Sequence, residues 1–170
     1  MSIPDRFKNA KIDNSIRLES NKSWYLWGKP GRGKTHFIYA LMLRRNDEIE
    51  KIREKEKNIH IHFPVLSVIN WVDYVDTVRY SKFEDKSEKV NGLMNVHKLI
   101  IDDIGVEKKS EFSDTILYRV INHRYDWNKY TAFTSNLKIS ELDYDGRIIS
   151  RIIGIVGENK FEIIGKDHRV

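Results

Sequence analysis

Apolar positions along the chain switch between runs that suit buried strands and spacings that suit one face of a helix. Trp24–Trp27 (WYLW) is a short apolar run ending at Gly28, the pattern of a buried strand feeding a loop. Phe37, Ile38, Leu41 and Met42 then recur at helical spacing as far as Arg44 and Arg45, so a helix follows. The charged stretch Asp47–Lys57 reads as a helix end plus a solvated loop, and Ile59–Phe63, alternating as IHIHF, as a second strand. Trp71, Tyr74, Val75 and Val78 share one helical face, and the charged segment Lys82–Lys89 reads as a solvated loop leading to a strand at Leu99–Ile101. Ile116, Leu117, Val120 and Ile121 mark a further helix, and Thr131–Thr134 a fourth strand. Ile148, Ile149, Ile152 and Ile153 mark a last helix, and Phe161–Ile164 a fifth strand. Strands alternating with helices imply crossover connections, hence an α/β fold whose five-stranded parallel sheet carries helices on both faces.

Composition narrows the class. Hydrophobic residues make up 40% and charged residues 32% of 170 positions, which suits one folded domain spanning residues 1–170. No apolar run approaches the roughly 20 residues needed to span a bilayer. Asp5, Arg6 and Lys8 stand where a signal peptide would be apolar, so a cytoplasmic protein without a membrane partner is expected. The absence of cysteine removes disulfides, thiolate metal sites and thiol nucleophiles, leaving oxygen and imidazole as metal ligands. A net charge of +5 is compatible with an anionic partner beyond the nucleotide, and equally with an ordinary basic surface.

The segment Gly28-Lys29-Pro30-Gly31-Arg32-Gly33-Lys34-Thr35 satisfies G-x-x-x-x-G-K-[ST] between an expected strand and an expected helix, the context such a phosphate-binding loop requires. Small residues let successive backbone N–H groups turn toward phosphate oxygens, and the helix start adds its positive dipole end. In this pattern Lys34 reaches the β- and γ-phosphates and the Thr35 hydroxyl ligates Mg²⁺, while Arg32 can also touch phosphate, although a loop arginine is expected to face solvent. Leu99–Asp103 (LIIDD) then sets two carboxylates at the carboxyl end of an apolar strand, the edge at which open α/β sheets bind ligands. Asp102 is the expected Mg²⁺ ligand, usually through water, and Asp103 the group that orients or deprotonates the attacking water. Asp-Asp-Ile-Gly is also good turn chemistry.

These motifs, in this order, resemble the AAA+ ATPases, and among them the DnaC/DnaI-type helicase loaders and the IstB-type ATPases. Pro4–Phe7 with Asn9–Asn14 looks like the family's N-terminal lead-in, and Gly33-Lys34-Thr35-His36 like its phosphate loop with histidine after the threonine. Leu99–Gly105 is similar to its acidic strand, Ser135–Leu137 with Ser140–Leu142 to its sensor region, and Arg147–Arg151 to its arginine-bearing helix. The resemblance implies an AAA+ P-loop fold without a separate lid domain. It implies that Asn136 orients the attacking water, a position that also suits a simple turn. Arg151 becomes the arginine finger, acting on a neighbouring subunit, with Arg147 in support. Gly165–Arg169 resembles the terminal sensor region, where Arg169 would contact nucleotide, although a frayed basic tail reads equally well there. ATP rather than GTP follows from the resemblance and from the lack of an Asn-Lys-x-Asp guanine-reading motif.

The N-terminal helicase-gripping domain of loaders is expected to be absent, since the first strand begins only about two dozen residues in. Two functions follow. One is an ATP-hydrolysing replication accessory protein of a phage or mobile element, acting as a homo-oligomer on single-stranded DNA and helping to place or regulate a replicative helicase. The other is a regulatory AAA+ protein that co-assembles with a host loader or initiator and has weak hydrolysis of its own. A small-molecule kinase is disfavoured, because no acceptor pocket or arginine-rich lid motif stands out. For DNA, Lys82, Lys86 and Lys89 offer charge and Tyr80 and Phe83 offer stacking surfaces. Trp24 and Trp27 read as core residues or neighbours of the adenine pocket, and His60 and His62 have no assigned role.

Overall fold

The computed structural model describes residues 3–12, 21–55 and 66–164. After a short 3-10 turn at Asp5–Phe7, strand β1 (Tyr25–Trp27) leads through the glycine loop into helix α1 (Lys34–Lys55). Strand β2 (Leu66–Asn70) runs directly into α2 (Trp71–Tyr80), which is followed by α3 (Phe83–Asn95) and β3 (Lys98–Ile104). Helix α4 (Glu111–Asp126), β4 (Thr131–Ser135), a 3-10 turn at Ile139–Glu141, α5 (Gly146–Val156) and β5 (Lys160–Glu162) complete the order.

The five strands form one parallel sheet in the order β2-β3-β4-β1-β5. Parallel pairing needs crossovers, and these helices cover both faces, so successive strand residues enter different cores. Tyr25, Leu99, Ile101 and Phe133 pack with α2, α3, α4 and α5, whereas Leu26, Ile100 and Ala132 pack with Phe37, Ile38 and Met42 of α1. This order places the acidic strand β3 beside β4, whose end carries Asn136, and β4 beside β1, whose end carries the glycine loop.

Several expectations change. Helix α1 continues to Lys55, well beyond Arg45. Its outer turns leave the sheet, so the apolar period stops while charge pairing continues, as in Arg44 Nε to Glu48 Oε1 at 2.9 Å. The segment Lys82–Lys89 is helical rather than a loop, with Glu84 and Asp85 favouring the amino end of α3 and Val90 and Leu93 buried. The second strand of the described sheet is Leu66–Asn70, and Ile59–Phe63 lies outside the described residues, as do His60 and His62. On α5 the buried stripe is Ile148, Ile152 and Val156, while Ile153 is exposed, because the helix packs chiefly along α4 and buries a narrower face than four isoleucines suggest.

Arg124 is fully buried without a carboxylate partner in the hydrogen bonds it makes. Its guanidinium donates to the carbonyls of Leu93 (2.7 Å), Val96 (2.8 Å) and Tyr130 (2.6 Å) and to Thr131 Oγ1 (2.8 Å). It thereby satisfies carbonyls left over at the end of α3 and ties that helix to the start of β4. Among the described residues no helix is long and apolar enough to cross a membrane.

Candidate nucleotide-binding site

The glycine loop lies between β1 and α1 at the carboxyl edge of the sheet, with Gly31 (φ +79°) and Gly33 (φ +89°) in left-handed conformations that favour glycine. At Gly28 close approach decides the residue type, since a Cβ there would sit 2.7 Å from the Ile163 carbonyl oxygen. The loop therefore packs against the chain just after β5.

Lys34 is buried at 6% exposure, yet its ammonium is well supplied with acceptors. It donates to the Gly28 carbonyl at 2.7 Å, the Lys29 carbonyl at 3.2 Å and Asn136 Oδ1 at 2.7 Å. Thr35 Oγ1 donates to Asp102 Oδ2 at 3.1 Å, and Thr134 Oγ1 donates to Asp102 Oδ1. Burial pushes the Asp102 carboxyl up to about 6; Asp103 adds to the rise, and the Thr134 and Thr35 hydroxyls with Lys34 oppose it. An uncomplexed carboxylate is thus costly here, and a cation would relieve the cost. The donors present fit Mg²⁺, a hard cation that takes oxygen ligands and retains water. Among the described residues no group of three or more His, Cys, Asp or Glu side chains could hold a metal alone, so Thr35 and Asp102 would share the ion with phosphate and water.

Asp103, near the end of β3, has φ +60°, where the register between β3 and β4 shifts between Ile101 and Ile104. Its backbone N–H donates to Thr134 Oγ1 at 3.0 Å. The irregularity is a bulge, after which pairing resumes at Ile104 and Ser135, and the Asp103 side chain lines the cleft rather than continuing the strand alternation.

The cleft itself has a volume of about 470 Å³. Pro30, Gly31 and Gly33 form its floor with Lys34, Thr35 and His36, and Asp103 and Asn136 form one wall. Arg6 and Phe7, from the N-terminal lead-in, form another wall. Phe7 stacks on Tyr39 of α1 with ring centroids 4.5 Å apart and planes 16° apart, and the Arg6 guanidinium lies 4.5 Å from the Phe7 ring centre. That wall depends on a non-local aromatic pair, which no periodicity reveals. Trp24 and Trp27 are core residues: Trp24 Nε1 donates to Tyr130 OH at 2.8 Å, and neither lines the cleft. Lys29 and Arg32 do not line it either, although both flank it, and Arg32 is half-buried rather than open to solvent.

Arg151 lies away from this cleft. Its Nε donates to Asn122 Oδ1 at 2.8 Å and its guanidinium lies 4.6 Å from the Tyr125 ring centre, so it rests along α4. Arg147 follows the same groove, 5.3 Å from the Tyr118 ring centre and paired with Asp145 at 2.9 Å. Arg169 lies outside the described residues. At the α2–α3 corner Tyr80 and Phe83 are 81% and 88% exposed, whereas the Lys86 ammonium lies 5.8 Å from the Phe112 ring centre.

With this geometry in place, the sequence profile described as the bacterial DnaA ATPase domain matches residues 9–157. The chain belongs to that family. It is 30% identical over 164 residues to the uncharacterized protein YqaM of Bacillus subtilis (strain 168), covering 88% of this chain and 48% of that protein. It is 28% identical over 120 residues to the replicative helicase loader DnaC of Escherichia coli (strain K12), covering 71% of this chain and 44% of the loader. The chain thus spans about half the length of the curated relatives it matches. Its fold is that of the DnaI crystal structure (TM-score 0.66, 24% identity, 87% of this chain and 73% of that one). It is equally that of the replication initiator DnaA bound to AMPPCP and single-stranded DNA (TM-score 0.65, 21% identity, 85% and 41%). The expected likeness to the DnaC/DnaI-type loaders is thus found, and the expected five-stranded parallel sheet is the fold of this chain.

Proposed function

We propose that the chain binds MgATP in the cleft and hydrolyses it within a homo-oligomer on single-stranded DNA, as a helicase-loader-like replication accessory protein. The observation that carries this reading is the paired geometry at the sheet edge. Lys34 bonds Asn136, and Thr35 bonds Asp102, so the loop, the acidic strand and the strand between them form one polar unit.

Backbone N–H groups of Gly31 and Gly33 and the amino end of α1 bind phosphate oxygens, and Lys34 exchanges its carbonyl contacts for the β- and γ-phosphates. Thr35 and Asp102 would hold Mg²⁺, which would neutralise charge developing on the phosphate oxygens. Asp103 and Asn136 face the same cleft and orient the attacking water, with Asp103 as proton acceptor. Arg6 and Phe7 cover the remaining side, where a flat base would meet an aromatic and a guanidinium surface. Arg151, set apart from its own cleft, acts on the site of a neighbouring subunit. Tyr80 and Phe83 supply exposed stacking faces for DNA, with Lys82 beside them. The related DnaA structure holds a nucleotide analogue and single-stranded DNA together, which supports the pairing of these two ligands. A replicative helicase or a host loader is the protein partner in this reading.

Equilibrium binding of a fluorescent oligonucleotide with MgATP, with ADP and without nucleotide tests the proposal. Binding that strengthens with MgATP and weakens steeply with salt is expected. No binding in any nucleotide state would remove DNA from the proposal and favour co-assembly with a host ATPase.

A further inference from the structure

The loop that leaves the acidic strand is fixed by a carboxylate that the proposed chemistry does not use. Glu107 is half-buried, four residues beyond Asp103, and three donors converge on it. Trp71 Nε1 donates to its Oε1 at 3.0 Å, the Tyr144 hydroxyl donates to the same oxygen, and the Gly105 N–H donates to its Oε2 at 2.9 Å. The Gly105 N–H is shared with Tyr144 OH, also at 2.9 Å. The three donors come from three places: the first residue of α2, the residue preceding the amino-terminal cap of α5, and the turn itself.

The turn needs such an anchor. Asp103 (φ +60°) and Gly105 (φ +81°) both occupy the left-handed region, which an aspartate tolerates at some cost. Between them Ile104 is fully buried, and its carbonyl accepts from Ser135 Oγ at 2.7 Å. On the strand side the Asp103 N–H is held by Thr134; on the loop side the Gly105 N–H is held by Glu107. The direction of the Asp103 side chain is therefore set by two polar anchors, one at each end of a three-residue turn. Burial, with Glu107 beside it, pushes the Tyr144 phenol far above its ordinary range, so it remains a donor.

We infer that Glu107 is a positioning residue for hydrolysis, holding the Asp103–Gly105 turn so that the Asp103 carboxylate faces the cleft, with Trp71 and Tyr144 fixing Glu107 in turn. This rests on the hydrolytic reading of Asp103 given above. An amide in place of the carboxylate presents N–H groups to at least one of the three donors, so Glu107→Gln loosens the turn while leaving shape and size unchanged.

The test uses the full chain and three variants, Glu107→Gln, Tyr144→Phe and Asp103→Asn, with thermal unfolding monitored in each. A fluorescent ATP analogue with Mg²⁺ gives the affinity and steady-state turnover gives kcat. The expected result for Glu107→Gln is affinity within about twofold of wild type and kcat lowered about tenfold or more, with a smaller fall for Tyr144→Phe. Combining Glu107→Gln with Asp103→Asn should lower kcat no further than Asp103→Asn alone, because both act through one group. A folded Glu107→Gln or Tyr144→Phe protein with unchanged kcat, or multiplicative losses in the double variant, overturns the inference. If the wild type has no turnover, the hydrolytic reading itself has failed. The positioning claim is then read from the Asp103 amide resonance, which must shift in Glu107→Gln while those of Gly31 and Gly33 stay in place; an unmoved Asp103 amide overturns it.

Discussion

The Lys34 ammonium donates to Asn136 Oδ1 at 2.7 Å, joining the phosphate loop to the end of β4 across 102 positions of sequence. A buried ammonium keeps its charge only where acceptors replace water, and here two loop carbonyls and one amide oxygen do so. In the proposed chemistry the γ-phosphate takes over the ammonium, which frees the Asn136 amide to orient water. Asn136→Ala should then leave nucleotide affinity within a few-fold and lower kcat by roughly 10- to 100-fold, as read from separate binding and turnover measurements.

Asp102 gives a pH-dependent outcome whose sign is fixed. Burial raises its folded pKa from the ordinary carboxylate range to about 6, so the folded apo-protein binds the proton more tightly than the unfolded chain. Stability contributed by that proton is full below the unfolded value and is lost as pH rises through about 6. Asp102→Asn should therefore stabilise the apo-protein at pH 7 by roughly 1 to 3 kcal/mol in urea unfolding and have little effect near pH 4. The same variant should lose the added stability that MgATP confers on the wild type.

Arg124 ties the end of α3 to the start of β4 through the carbonyls of Leu93, Val96 and Tyr130. Burial pulls the guanidinium down to about 10, so it stays charged at neutral pH. The Tyr130 carbonyl also accepts from the Leu99 N–H, so Arg124→Met, which retains apolar length, withdraws the side-chain donor from the Leu93 and Val96 carbonyls and should cost about 3 kcal/mol or more in urea unfolding.

Where local chemistry defines an element, the sequence was readable. The glycine loop needs small residues and a lysine in fixed order, and the buried strands at Leu99–Ile101 and Thr131–Thr134 are apolar or small throughout, so all three lie where the pattern puts them. Positions decided by distant partners were not readable. Helix α3 has only two buried residues and takes its end from Arg124, which lies some thirty positions away, so its charged sequence looks like a loop. Phe7 gains its place from Tyr39, and Glu107 from Trp71 and Tyr144, none of which adjoin it in sequence. The narrow seat of α5 likewise depends on α4, against which it packs, which is why Ile153 lies outside the core.

At the α2–α3 corner, Tyr80 and Phe83 are so exposed that removing either ring should leave the melting temperature unchanged. If they stack on bases, each alanine variant should weaken single-stranded DNA binding by about tenfold, within the range typical of base–aromatic stacking. Fluorescence anisotropy with a labelled oligonucleotide reads both variants.

The most direct measurement is steady-state ATP hydrolysis by the wild type and by Arg151→Ala across a range of protein concentrations, with and without single-stranded DNA. The proposed assembly predicts specific activity that rises with concentration and with DNA, and that collapses in Arg151→Ala while ATP still binds. Specific activity independent of concentration and unaffected by the substitution would contradict a site completed by a neighbouring subunit, and a wild type that binds ATP without turnover under every condition would contradict hydrolysis itself.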